Sequence, residues 1–275
     1  LFLILSAELA GCKDEDRAVL AGIIEAIHTA SILHDDVVDG AELRRGKKAA
    51  NTIWGNQIVI LVGDFLYSNA LRIAVLKKNQ NIMEALSGAT TMMTEGEILQ
   101  LNRMADPEIT KEEYFRIVSA KTGALISAAC RIGGILGGLA KDKEDALGRF
   151  GMKTGIVFQL ADDILDYMAE ENDLGKRLGK DLDEGKITLP LIYLLRAAND
   201  EERDAIRGII RKGISRKTDL SRILKMFDKY SVIEESLRIA QKMIMEAKQE
   251  LDIFPYSREK EALLMMSDYA LAREK

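Results

Sequence analysis

The chain has 275 residues, of which 47% are apolar, 30% are charged and three are prolines, so it can bury one large core and does not resemble a disordered protein. Its net charge of −5 excludes the basic surface that nucleic-acid binding requires. Cys12 and Cys130 are too few and too far apart for a disulfide scaffold or a cysteine-based zinc site, which fits a cytoplasmic protein.

Apolar residues recur at helical spacing along nearly the whole chain, and no convincing strand alternation interrupts them. Capping residues are predicted at Asp14, at Thr110 with Glu113, and at Ser231 with Glu234. The opening LFLILSAELAGC is too short to cross a bilayer, so no transmembrane segment is expected. Without a dividing linker, residues 1–275 are predicted to form one all-α domain. Helices are predicted near 1–11, 14–39, 52–76, 80–103, 111–139, 143–168, 189–198, 201–212, 218–229, 231–252 and 257–273.

Two aspartate clusters share the spacing DDxxD, one near the end of the second predicted helix and one near the end of the sixth. Their members are Asp35, Asp36 and Asp39 in HDDVVD, and Asp162, Asp163 and Asp166 in ADDILD. In a helix, the outer two aspartates of each cluster lie one turn apart on one face, whereas the middle one points about 100° away. Because like charges at this spacing destabilise a helix, each outer pair should have a cation nearby.

Magnesium suits such pairs because it is usually held by one or two carboxylates, several waters and substrate phosphates. Two facing pairs could therefore grip one diphosphate. The alternative is that each cluster is only an exposed acidic helix end, but two identical spacings, each followed by a loop of glycine, lysine and arginine, favour a site. A di-iron site, suggested by Glu25 and His28, is excluded because the other histidine, His34, has Ser31 three residues before it.

The segments HTASILHDDVVDGAELRRGKKAAN, SAKTG, FQLADDILDY and GKDLDEGKITLPL resemble those of the trans-prenyl diphosphate synthases, most closely the long-chain, octaprenyl-like ones. The resemblance covers essentially the whole chain in the same order. It implies the isoprenoid synthase fold, a single-domain helical bundle around a central cavity, usually as a homodimer. It also implies a prenyltransferase with up to three Mg²⁺ per site, which condenses isopentenyl diphosphate with an allylic diphosphate such as farnesyl diphosphate.

The same resemblance assigns roles to individual residues. Asp35, Asp39 and Asp162 are the expected metal ligands, with Asp36, Asp163 and Asp166 as further or outer ligands. The allylic diphosphate is expected to meet Arg44, Lys121 and Lys176, while Lys186 lies where either diphosphate could reach it. His28 and Arg45 match positions that bind isopentenyl diphosphate, and Thr122, Gln159 and Asp181 are expected to supply hydrogen bonds. No side chain is nominated as catalytic base, because the released diphosphate can take the proton.

Product length in this family is set by residues just before the first aspartate cluster, where a bulky aromatic side chain closes the pocket. Here those positions are Ala30 and Ser31, and earlier helical turns bring Ala26, Gly22 and Ala18. The absence of an aromatic residue predicts a long product, of the kind attached to quinones. The alternative is that these small residues only admit a neighbouring helix.

Other functions are weighed against this expectation. A terpene cyclase, a shorter-chain farnesyl or geranylgeranyl synthase, and a non-catalytic partner subunit are the alternatives. His28, Arg45 and the second complete cluster favour elongation over cyclisation, and a helper subunit should have lost its acidic clusters. The family's Gly-Gly-Lys-x-x-Arg segment, which helps bind isopentenyl diphosphate, would precede Leu1 and is absent from the sequence.

Overall fold

The computed structural model describes residues 1–44, 46–168, 178–212 and 217–271. Most of these residues are helical, which confirms the all-α prediction. The helices are α1 (Phe2–Leu9), α2 (Asp16–Val38), α3 (Ala50–Trp54), α4 (Asn56–Leu76), α5 (Gln80–Asn102), α6 (Lys111–Val118), a π-helical turn (Ser119–Gly123), α7 (Ala124–Leu136), α8 (Lys141–Met168), α9 (Lys180–Asp183), α10 (Leu189–Ala197), α11 (Asp200–Lys212), α12 (Lys217–Tyr230), α13 (Val232–Glu250) and α14 (Arg258–Leu271).

Four departures from the predicted elements occur within the described residues. The helix predicted over 52–76 is divided at Gly55, whose φ of 83° is a conformation that favours glycine. A hairpin of two-residue strands, β1 (Leu43–Arg44) and β2 (Lys47–Lys48), lies in the loop after α2. The helix predicted over 111–139 contains the π turn, and α9 was not predicted.

The predicted helix caps have mixed outcomes. Thr110 and Glu113 form the predicted capping box at the start of α6. Asp14 instead accepts the backbone N–H of Asp16 from just outside α2. The prediction at Ser231 is wrong, because this residue has a φ of 49° and its side chain makes no capping hydrogen bond.

The long helix α8 lies at the centre of the fold and packs against α7, α13 and the π turn. The largest apolar cluster joins α8 to α6 and to α10–α13, with Leu160, Leu189 and Ile206 fully enclosed. A second cluster joins α2 to α4, α5 and α7. Because α8 ends beside the first cluster and α2 packs on α4 through the second, the core positions the two helices that carry the aspartates.

Within the described residues, α2 and α4 are long and apolar enough to cross a membrane by length and composition alone. Their best windows have mean hydropathies of 1.2 and 1.7. A core helix of a soluble protein passes the same test, so this observation carries little weight by itself.

Candidate active site

The first aspartate cluster ends α2 among charged side chains from other helices. The pKa of Asp35 is raised to about 6, chiefly by burial. Lys121 lowers this pKa, whereas the carboxylates of Glu97 and Asp39 raise it. Asp35 is therefore a half-buried carboxylate whose electrostatic neighbours are other carboxylates and a lysine of the π turn.

Asp39 connects this cluster to the distant segment after α9. The Nζ atom of Lys186 lies 2.8 Å from Oδ2 of Asp39 and 2.8 Å from Oε2 of Glu184. Burial lowers the pKa of Lys186, but the hydrogen bonds to the two carboxylates outweigh burial and hold the pKa above its ordinary value. Lys186 thus ties the end of α2 to the segment that follows the second aspartate cluster.

The middle aspartate of the first cluster points away from the outer pair. Asp36 is 2% exposed, and its Oδ1 accepts from Nε of Arg44 at 2.8 Å and lies 2.7 Å from Nη2 of the same side chain. Asn51 donates to the backbone carbonyl of Asp36. Arg44 is therefore held beside the cluster at the first strand of the hairpin, and Arg45 lies outside the described residues.

The last aspartate of the second cluster organises α9. The carboxylate of Asp166 accepts the backbone N–H groups of Lys180 at 3.2 Å and Asp181 at 3.0 Å. Burial raises the pKa of Asp166, and these two N–H groups oppose the rise. The pKa of Asp181 is raised well above its ordinary value by burial and then by the negative charges of Asp163 and Asp166. Asp162 is exposed.

Asp163 occupies the interior side of α8, in a chain of buried and half-buried hydrogen bonds. Tyr114 donates its hydroxyl to Oδ2 of Asp163 at 2.5 Å, and Nε2 of Gln159 donates to Oδ1 at 2.8 Å. Thr122 donates its hydroxyl to Oε1 of Gln159 at 3.0 Å. The pKa of Asp163 is raised to about 6 by burial, which the two donated hydrogen bonds partly offset. These three hydrogen bonds connect α6, α8 and the π turn.

The π turn that carries Lys121 and Thr122 is held by close helix contacts on two sides. A Cβ atom at Gly96 of α5 would lie 2.6 Å from Cβ of Ala120, and one at Gly155 of α8 would lie 2.8 Å from Cα of Gly123. Isolated π turns inside helices are frequent at functional sites. Lys121 forms an ion pair with Glu97 of α5, so the turn also has an electrostatic contact within the pocket.

The structure brings together most residues that the sequence assigned to the site. Contacts join Asp39 to Lys186, and Thr122 to Gln159 and Asp163, although these residues come from separate segments. His28 is exposed and lies seven residues before Asp35, within about 20° of it around α2. Lys176 lies outside the described residues.

Three residues of this region were not predicted from the sequence: Glu97, Tyr114 and Glu184. Glu97 directly precedes the apolar residues Ile98 and Leu99 of α5, and this position alone does not distinguish it from an ordinary surface glutamate. Its carboxylate oxygens are buried, as is Nε2 of Gln100 one turn later. Tyr114 occupies an ordinary apolar position of α6, so nothing in the sequence distinguishes it from a core residue.

The small residues of α2 run from the interior to the surface. Ala30 is 1% exposed, Ser31 and Ala26 are half-buried, and Gly22 and Ala18 are exposed. A Cβ atom at Gly22 would meet nothing within 4 Å. The buried part of this row of small residues therefore extends from Ala30 to Ala26.

The carboxylates differ in their capacity to hold a metal ion. Among the described residues, no group of three or more histidine, cysteine, aspartate or glutamate side chains is close enough to enclose one. Magnesium needs only one or two carboxylates when waters and phosphates complete its shell. The outer pair Asp35 and Asp39 fits this requirement, because the carboxylates lie close enough for Asp39 to raise the pKa of Asp35. Asp36 and Asp163 hydrogen-bond to protein donors, as Asp39 does to Lys186.

Comparisons with known proteins agree with this geometry. The family profile described as Polyprenyl synthetase matches residues 1–227. The octaprenyl diphosphate synthase of Escherichia coli is 37% identical over 275 residues, which cover 100% of this chain and 85% of the relative. A short chain isoprenyl diphosphate synthase of Methanothermobacter thermautotrophicus is 35% identical over 276 residues, covering 98% of this chain and 84% of the relative. A polyprenyl synthase from Caulobacter crescentus, solved with calcium and isoprenyl diphosphate, has a TM-score of 0.93 and 37% identity, covering 99% of this chain and 83% of that one.

Proposed function

Since the chain belongs to the polyprenyl synthetase family and is a prenyltransferase, we propose that it makes a long-chain trans-polyprenyl diphosphate by repeated head-to-tail addition of isopentenyl diphosphate. The allylic starter is farnesyl diphosphate, and the product is of octaprenyl type, for a quinone side chain. The observation that carries the proposal is a set of contacts that link the two aspartate clusters indirectly. Lys186, from the segment after the second cluster, contacts Asp39 of the first. The Thr122–Gln159–Asp163 hydrogen bonds join the second cluster to the π turn, whose Lys121 acts on Asp35.

The reaction begins when the allylic carbon–oxygen bond breaks, which leaves positive charge on the allylic group and a diphosphate as leaving group. Bound magnesium, up to three ions, supplies the charge that stabilises this leaving group. Asp35, Asp39 and Asp162 would hold the metal. Lys121 and Lys186 supply fixed positive charge to the diphosphate, and each is already positioned by a carboxylate partner.

The remaining assignments concern the two substrates. Arg44 and Lys176 bind the allylic diphosphate, and His28 and Arg45 bind isopentenyl diphosphate. Asp36 supports this proposal for Arg44, because it holds the guanidinium group beside the first cluster. Arginine suits the task because its planar donors match phosphate oxygens.

The proposal also specifies the length of the product. The long product rests on the small side chains at Ala30 and Ser31 and on the similarity to the octaprenyl synthase. A shorter product is the second candidate, because the Methanothermobacter thermautotrophicus relative is described as a short chain enzyme at nearly the same identity. Sizing of the products by chromatography after hydrolysis of the diphosphate distinguishes the two.

We also propose that the protein is a cytoplasmic homodimer. Support comes from α3 and α4, which expose a run of large apolar side chains. Its members include Trp54, Ile58, Leu61 and Phe65, which are 60%, 52%, 67% and 66% exposed. Apolar patches of this kind commonly mark protein interfaces. Sedimentation should give a dimer for the unaltered protein and a monomer for Phe65→Asp, and a monomer in both cases would contradict the proposal.

The central test is incubation of the purified protein with farnesyl diphosphate, labelled isopentenyl diphosphate and magnesium. Label should enter a long prenyl diphosphate. A cyclised hydrocarbon without label would indicate a terpene cyclase, and unchanged substrates would indicate a non-catalytic subunit. Asp35→Asn and Asp162→Asn should each lower turnover by about 100-fold or more, because charge stabilisation at the leaving group is worth several kcal/mol. Asp252→Asn, at an exposed position after α13, is the matched control.

A further inference from the structure

A chain of four side chains crosses the interior between α6 and the π turn, and each of its hydrogen bonds has one chemically possible direction. The carboxylate of Asp163 only accepts, so Tyr114 and Gln159 both donate to it. Because Gln159 turns its NH₂ group to Asp163, its carbonyl oxygen faces Thr122. Thr122 must then donate its own hydroxyl hydrogen to Gln159.

The first two members of this chain are the most enclosed. Tyr114 is 3% exposed and Asp163 is 4% exposed, whereas Gln159 and Thr122 are half-buried and lie nearer the Lys121 pocket. Two donors meet the two oxygens of Asp163 from separate helices. The carboxylate is thereby fixed in place. The directions of the Gln159–Asp163 and Thr122–Gln159 hydrogen bonds depend on it.

We propose that Tyr114 and Asp163 are positioning residues that fix the orientation of Gln159 and Thr122, so that the hydroxyl oxygen of Thr122 meets bound substrate as an acceptor only. This inference rests on the proposed function, in which positive charge develops on the allylic group. An oxygen that presents lone pairs stabilises such charge, whereas a hydroxyl hydrogen would oppose it. Tyr114 acts on the reaction through Asp163 and touches no substrate itself.

The test compares Tyr114→Phe with Tyr230→Phe. Tyr230 donates to Glu202 at the same distance of 2.5 Å, between α12 and α11, so both variants lose one hydroxyl and one hydrogen bond to a carboxylate. The rate of a single condensation is measured by rapid quench with farnesyl diphosphate and labelled isopentenyl diphosphate. Binding of inorganic pyrophosphate with magnesium is measured by calorimetry, and the unfolding midpoint shows whether folding is affected equally.

Tyr114→Phe should slow the single condensation by about tenfold, as is typical when an outer partner of a reacting group is removed, while pyrophosphate affinity stays within about twofold. Tyr230→Phe should leave the rate unchanged. Asp163→Asn should slow the reaction at least as much as Tyr114→Phe. An asparagine amide can donate as well as accept hydrogen bonds, so it no longer fixes the direction of the hydrogen bonds to Gln159 and Thr122. The double variant Tyr114→Phe/Asp163→Asn should be no slower than Asp163→Asn, since both changes act on one chain.

Three results would overturn the inference: equal rates for Tyr114→Phe and Tyr230→Phe, losses that multiply in the double variant, or a loss of pyrophosphate affinity as large as the loss of rate. Inactivity of the unaltered protein would instead refute the proposed function, and this inference with it. The two failures are therefore distinguishable in the same set of measurements.

Discussion

Lys186 offers a sharp test of how the two aspartate clusters are held together. Its ammonium group lies 2.8 Å from both Asp39 and Glu184. Replacing it with methionine keeps most of the side-chain volume but leaves two enclosed carboxylates without their shared cation. The folded protein should be destabilised even in the absence of magnesium and substrate.

The size of the effect follows from exposure. The side chains of Lys186, Asp39 and Glu184 are 18%, 20% and 21% exposed, so the group is neither fully buried nor on the open surface. Breaking a buried pair costs about 3–5 kcal/mol, whereas an exposed pair contributes about 0–1 kcal/mol. We expect Lys186→Met to lower the free energy of unfolding by about 2 kcal/mol, which corresponds to a fall in Tm of roughly 3–4 °C for a chain of this size.

The control is Lys180→Met, which also removes a lysine 2.9 Å from Glu184 but starts from a side chain that is 53% exposed. It should cost under about 1 kcal/mol, because solvent screens exposed pairs. Urea titration and scanning calorimetry of metal-free protein measure both variants. Equal losses for the two lysines, or an unchanged stability for Lys186→Met, would refute the view that enclosure makes the Lys186 contacts strong.

Three further predictions concern other parts of the site. Burial raises the pKa of Asp35 to about 6, so the folded state binds this proton more tightly than the unfolded chain does. The unaltered, metal-free protein should therefore lose stability as pH rises from about 4 to about 6, whereas Asp35→Asn should not. Urea titrations should show the variant gaining up to about 3 kcal/mol relative to the unaltered protein over this range. Gly155→Ala should destabilise the folded protein by about 1–3 kcal/mol, because its Cβ atom would meet backbone atoms of the π turn. Gly88→Ala is the control, at an exposed position in α5 where a Cβ atom would meet nothing within 4 Å. It should stabilise the folded protein by about 0.5–1 kcal/mol. Ala30→Phe should shorten the product, and Ala26→Phe should shorten it by about one isoprene unit less, since it lies about 6 Å along α2. If chromatography shows the same product length for both variants as for the unaltered protein, this row of small residues is a packing feature.

The helices were predictable because their apolar residues recur with one period, and the clusters because both aspartate pairs have the same spacing. The same helical geometry correctly placed Asp36 away from Asp35 and Asp39, and the structure shows Asp36 turned to Arg44. The break at Gly55 was not predicted, since a single glycine is compatible with a continuous helix until its φ is known.

Contacts between distant segments account for what the sequence could not show. Tyr114 has the spacing of an ordinary core residue, and only the packing of α6 on α8 brings its hydroxyl to Asp163. Glu97 similarly needs the close approach of α5 to the π turn at Gly96 before it can pair with Lys121. The π turn itself depends on one extra residue in a helical turn, which leaves no clear mark in the apolar pattern.

The contact between Asp39 and Lys186 also bears on how the protein is made, because the two residues are 147 positions apart in the chain. At a synthesis rate of about 5–20 residues per second, the ribosome adds this stretch in roughly 7–30 s. For that time the acidic end of α2 has emerged while its lysine does not yet exist. A nascent chain that stops short of residue 186 can fold α2 but cannot neutralise Asp39 in this way, so the two halves of the pocket can join only after most of the polypeptide has left the ribosome.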